Sequence, residues 1–192
     1  MNAPSLILAS ASPRRHELLQ QLGIACQIRP ADLAECPLPG EAPEHYVRRI
    51  ACDKADAVWQ ATGGSLPVLA ADTEVEMEGV IFGKPRDQAH AIELLSALSN
   101  REHRVLSSVA LRTAGGTGER LSISRVWFRS LSRAEIEAYW HSGEPVGKAG
   151  AYAIQGRGAI FIRHLAGSYS GVMGLPLYET AALLAEWGLF QP

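Results

Sequence analysis

Several features that mark large protein classes are missing from this 192-residue sequence. No apolar run approaches the ~18 residues that a membrane span requires. The first residues lack the basic stretch that opens a secretory leader, so a soluble, cytoplasmic protein is expected. Cys26, Cys36 and Cys52 form no CxxC pair, and the six histidines form no HxxxH pair. That argues against a disulfide framework or a structural zinc site. Net charge is -2, so no overall basic field invites a nucleic acid polymer. No GxGxxG opens a helix after the first strand, and Gly83-Lys84-Pro85 is no Walker motif. The stretch from Gly167 to Gly171 has the outline of a nucleophile elbow, but Tyr169 stands where the nucleophile belongs.

What is present is an α/β alternation, and 47% hydrophobic content suits one compact domain spanning residues 1–192. Strands are expected at residues 6–10, 25–29, 67–71, 80–82, 105–111, 121–128 and 160–165. Helices are expected at 13–22, 42–62, 87–98, 176–187 and from Ser132 to about Ser142. Ser132 and Glu135 make a capping box, and Glu78-Gly79 reads as a hairpin turn. Residues 32–41, with Pro37, Pro39 and Gly40, read as a loop that carries Glu35.

The most informative stretch is Leu6 to Arg15. An apolar strand ends at Ser10, and Ser12 and Pro13 read as the N-cap and first position of a helix. Arg14 and Arg15 follow at the end where the helix dipole is already positive. Cations are disfavoured there, and a bound phosphate would resolve the conflict, whereas splaying both side chains into water is the bland alternative. Asp72 is read as ending the strand 67–71, at the edge where open α/β sheets place their ligand crevice. Lys54 shares the inward stripe of Val47, Ile50, Ala51, Ala55 and Val58, where it either snorkels outward, the outcome the stripe alone favours, or meets an anion. Lys84 sits in a tight turn. Asp72, Glu74, Glu76 and Glu78 alternate; one reading is an acidic metal patch, the preferred one a solvated edge for the last three.

Taken in order, these pieces resemble the Maf family of nucleoside triphosphate pyrophosphatases. The match runs through Ser10 to Arg15, Glu35, Tyr46 to Ala51 with Lys54, Ala71-Asp72-Thr73, Gly83-Lys84-Pro85, His103-Arg104-Val105, Phe128 to Ser132, Gly143-Glu144-Pro145, Lys148 to Gly156 and Gly174 to Leu177. The resemblance implies an α/β fold with an elongated mixed β-sheet flanked by helices and two lobes around a cleft, of the inosine triphosphatase-like, Maf/Ham1 type. It implies hydrolysis between the α- and β-phosphates, and Lys148 to Gly156 is similar to the branch acting on dTTP and UTP. Asp72 then matches the proton acceptor. Ser10, Arg15, Lys54 and Lys84 match phosphate-cleft positions, and Arg14, Thr73 and Gln155 match positions tied to substrate choice. Lys148 opens the substrate-binding segment, and Glu35 with Asp72 would hold a divalent cation, Mg²⁺ or Mn²⁺. A homodimer is a further implication.

The chain departs from the family pattern at Ala34 and Gly147, where carboxylates are common, at Glu74, where an apolar residue is usual, and at Ala153, where a glycine is. The expected activity is metal-dependent hydrolysis of dTTP and UTP, a nucleotide-pool house-cleaning role. The rival is a nucleotide-binding regulator of septum formation that keeps the cations and needs no base at Asp72.

Overall fold

The computed structural model describes residues 5–191; residues 1–4, on which the leader expectation rests, lie outside them. A seven-stranded mixed sheet organises the chain, in the spatial order Cys26–Ile28, Leu6–Leu8, Val68–Met77, Glu102–Thr113, Gly116–Phe128 and Ile162–Ala166, with Val80–Phe82 paired to Val68–Met77. β1 (Leu6–Leu8), α1 (Pro13–Gln21) and β2 (Cys26–Ile28) form a parallel unit, and α2 (Pro43–Ala61) crosses back to bring β3 (Val68–Met77) parallel to β1. From β3 onward the sheet is antiparallel, through β4 (Val80–Phe82), β5 (Glu102–Thr113), β6 (Gly116–Phe128) and β7 (Ile162–Ala166). The remaining helices are α3 (Gln88–Leu98), α4 (Arg133–Trp140), α5 (Tyr169–Met173) and α6 (Leu177–Glu186). Among the described residues no helix is long and apolar enough to cross a membrane.

The period-two alternation of β3 sorts its side chains between layers. Val68 and Ala70 pack against Ala51, Ala55 and Val58 of α2. Leu69 and Ala71 face the opposite side, with Leu18 and Leu19 of α1 and Leu183 and Leu184 of α6. Farther along the same side, Val75 and Met77 join Leu95 of α3 and Ile136 and Tyr139 of α4. One long strand thus touches three cores.

Several boundaries move. Asp72 does not end a strand: β3 continues to Met77 because its partner β5 supplies a ladder from Val68↔Arg112 to Glu76↔Arg104. The solvated-edge reading fails for Glu74 and Glu76, which are only 7% and 2% exposed. Glu76 is roofed by Arg104 and accepts from the Gly79 amide at 2.5 Å. Glu78 alone of the three is exposed. β5 and β6 absorb the glycine-rich connection as a long hairpin that turns at 114–115. The stretch after Gly167 becomes the short α5, whose N-cap Ser168 accepts from Gly171. Residues 157–161 form a 3₁₀ turn ahead of β7, so that strand starts two residues later than expected. The capping box at Ser132 and Glu135 is present as read.

Candidate active site

Ser12 occupies the N-cap of α1, but its side chain caps nothing; instead Ser10 Oγ accepts from the Ser12 amide at 3.1 Å. The two following arginines part ways. Arg15 donates from Nε to the Gly174 carbonyl at 2.8 Å, from Nη1 to Ser10 Oγ at 3.3 Å and from Nη2 to Thr73 Oγ1 at 3.4 Å. It therefore ties the end of β1 to β3 and to the turn between α5 and α6. Burial pulls its proton affinity below the usual arginine value, against the opposing pull of Asp72, Glu35 and Glu74. Arg14 points elsewhere: with the Gln155 amide oxygen turned toward it, Nη1 and Nε donate to that oxygen at 3.0 and 3.2 Å. Neither arginine splays into water.

Lys54 does not snorkel. The buried stripe of α2 includes it, and its Nζ sits 2.8 Å from Asp72 Oδ1 and 2.9 Å from Glu35 Oε1. Lys84 Nζ approaches the other oxygen of Glu35 at 3.6 Å and is mostly exposed. Burial works against ionisation of Glu35, but the Lys54 hydrogen bond and the charges of Lys54, Lys84 and Arg15 hold its carboxyl below the ordinary range. The loop that presents Glu35 is held by Arg49, which grips Glu41 at 2.6 and 2.7 Å and donates to the Cys36 carbonyl at 3.1 Å. All three cysteines are free thiols.

Two carboxylate oxygens in this region are buried without a hydrogen-bond partner, Asp72 Oδ2 and Glu74 Oε2. They differ in setting. Asp72 has its other oxygen on Lys54. Burial first and the neighbouring Asp72 charge second raise Glu74 to about 8.

A cleft of about 540 Å³ opens over these groups, within the range of small-molecule sites. Ser10, Arg15, Thr73, Lys54, Asp72 and Lys84 line one part of its wall, together with Glu35 and Glu74. Arg14, Lys148 and Gln155 line another. Lys148 donates to the Val146 carbonyl at 3.2 Å, and burial together with Arg14 lowers its proton affinity. The structure thus brings every candidate into one cavity. Sequence reasoning missed the Gly174 carbonyl and Ser107. The latter pairs with Thr73 across the β3–β5 ladder, donates to the Gly171 carbonyl at 2.6 Å and lies 3.1 Å from Thr73 Oγ1. Only strand register could have found Ser107.

A mixed-sheet α/β protein with a cleft that gathers guanidinium and ammonium groups around carboxylates belongs to the class built to take a polyphosphate anion. The chain belongs to the Maf-like protein family, whose model matches residues 5–187. It is 55% identical over 184 residues to a Methylococcus capsulatus protein named dTTP/UTP pyrophosphatase, covering 96% of this chain and 91% of that one. A protein of the same name from Chromobacterium violaceum is 49% identical over 195 residues, covering 100% and 98%. A solved structure of a Vibrio cholerae protein matches the fold with a TM-score of 0.54 at 9% identity, covering 99% of this chain and 100% of that one.

Proposed function

We propose that this protein hydrolyses dTTP and UTP between the α- and β-phosphates, giving the nucleoside monophosphate and pyrophosphate, as a cytoplasmic house-cleaning enzyme acting through one domain. The observation that carries the reading is the state of Asp72. One oxygen is fixed by Lys54 at 2.8 Å, and the other, Oδ2, is buried on the cleft wall with no protein partner. The names of the two relatives support the choice of substrate.

Asp72 Oδ2 takes a proton from water, and the water oxygen forms the new bond to the α-phosphorus. The bridging α–β bond breaks, and its electron pair leaves with pyrophosphate. Arg15, Lys54 and Lys84 offset the charge that collects on the phosphate oxygens in the transition state. Gln155 carries the donor and the acceptor that a uracil or thymine edge requires; its oxygen takes both Arg14 donors in this structure, so base reading exchanges one of those contacts for the base.

The donor set fits a hard divalent cation such as Mg²⁺ or Mn²⁺, because the ligands that Glu35 and Asp72 supply are carboxylate oxygens. Among the described residues no three His, Cys, Asp or Glu side chains gather as a preformed ion site, so Glu35 and Asp72 would hold the ion with phosphate oxygens and water completing its shell. When bound, it supplies charge neutralisation at the phosphates.

The test is pyrophosphate release from dTTP, UTP, CTP, GTP, ATP and 7-methyl-GTP, with Mg²⁺ or Mn²⁺ and with chelator. Metal-dependent release led by dTTP and UTP supports the reading. Nucleotide binding without release from any of them replaces it with the binding regulator.

A further inference from the structure

Gln155 is exposed, on a stretch without helix or strand, yet the residues on either side of it are pinned. Both attachments run to one carboxylate. Glu144 Oε1 accepts from the Tyr139 hydroxyl at 2.6 Å and from the Gly158 amide at 3.0 Å, and Glu144 Oε2 accepts from the Arg157 amide at 2.8 Å. The Tyr139 oxygen in turn accepts from the Ala153 amide at 3.1 Å. Ala153 is therefore reached through Tyr139, and residues 157–158 directly, so the peptide that bears Gln155 is strung between two points of one clamp.

The packing leaves no slack. A Cβ built on Gly156 overlaps the Glu144 carboxylate, and one on Gly158 lies 2.7 Å from both the Tyr139 hydroxyl and the Ala153 carbonyl oxygen. Tyr139 is 4% exposed and anchored in the core beside Phe161, at a ring separation of 4.9 Å. The clamp thus transmits the rigidity of α4 to the rim of the cleft. Glu144 also supplies negative charge to the Arg14 and Lys148 side of that rim.

We infer that Glu144, through Tyr139 and the amides of residues 157–158, is a positioning residue that sets the pyrimidine specificity of the cleft by fixing where Gln155 presents its amide. Glu144 touches no reacting atom. A side-chain amide discriminates one base edge from another only when its donor and acceptor are held in register with that edge, so a loosened loop loses selectivity before it loses affinity for the triphosphate. This inference rests on the proposed base-reading role of Gln155.

Three variants disturb the clamp differently. Glu144→Gln removes one of its accepting oxygens, Tyr139→Phe cuts the link to Ala153, and Gly156→Ala wedges the carboxylate without altering either partner. The measurement is calorimetric binding of the α,β-imido analogues of dTTP and dGTP with Mg²⁺, which reads selectivity without turnover, alongside thermal melting to show that each variant is folded. All three variants are expected to cut the thymine-over-guanine preference by about tenfold or more, the discrimination that one bidentate amide contact to a base provides. Glu144→Gln should add nothing further in a Gln155→Ala background, because the two act on one contact. If the folded clamp variants keep the wild-type preference while Gln155→Ala loses it, or weaken both analogues by the same factor, the positioning role is overturned and base reading stands. If Gln155→Ala keeps the preference, base reading itself falls, and the inference with it. Should Glu144→Gln fail to fold, Tyr139→Phe and Gly156→Ala decide.

Discussion

At the scale of single residues, the centre of the site is one ammonium shared by two carboxylates. Lys54 Nζ lies within 3 Å of both Asp72 and Glu35, and its side chain is 8% exposed. Removing it with Lys54→Met leaves the buried Asp72 carboxylate without its counter-ion, which should cost on the order of 3–5 kcal/mol in urea unfolding. Asp72→Asn is the contrasting change. It keeps an oxygen to accept from Lys54, so the melting temperature should move little, while pyrophosphate release should drop by about 10²–10⁴-fold. A stable Asp72→Asn protein with full turnover would remove Asp72 from the role of base. Lys54 was legible in the sequence because a cation on an apolar helical stripe breaks the local pattern. What the stripe could not convey was the partner, since Asp72 arrives from a different element.

At the scale of elements, β3 shows why strand ends are hard to place from sequence. Residues 74–77 alternate polar and apolar, and the polar members look solvated until α2 and β5 cover them. The turn at Lys148 to Ala151 makes a second case. Gly147 and Gly150 are both left-handed, at φ 71° and 65°, but the space around Gly147 is open, whereas a Cβ on Gly150 would meet Val75 Cγ2 of β3 at 2.8 Å. Gly147→Ala should cost only the left-handed backbone penalty of about 1–2 kcal/mol. Gly150→Ala should add an overpacking cost of about 1–3 kcal/mol. Denaturant midpoints of the two variants separate the contributions; equal losses would show that the turn shifts away from β3 without resistance. The glycines are visible in the sequence, but which one abuts a strand 75 residues away is not.

At the scale of the whole molecule, the largest core encloses a histidine that faces aromatic rings. His103 is 2% exposed, its Nε2 is 2.9 Å from the Tyr152 hydroxyl, its Nδ1 has no partner, and Phe128 packs edge-on against it. Burial pushes its pKa down from 6.5 to about 4, with Glu102 opposing weakly. The folded state then binds fewer protons than the unfolded state between those values, so acid favours unfolding. The stability from this group is complete above pH 6.5 and lost as pH falls toward 4, at up to about 1.4 kcal/mol per pH unit. Urea unfolding at pH 7 and pH 5 should show a smaller acid loss in His103→Gln than in the wild-type protein; equal losses would place the acid-sensitive group elsewhere. The sequence by itself determined the α/β alternation, the strand-turn-helix bearing Arg14 and Arg15, and the apolar stripe that carries Lys54, because each follows from local periodicity, capping and charge placement. Tertiary structure alone decided that Arg15 would face Thr73 and Gly174 while Arg14 faced Gln155, and that Glu74 would be buried. It also decided that Glu144 would hold the loop of residues 153–158. Those outcomes depend on strand register and on which surfaces lose water when distant elements meet, and neither is written in any one stretch of chain.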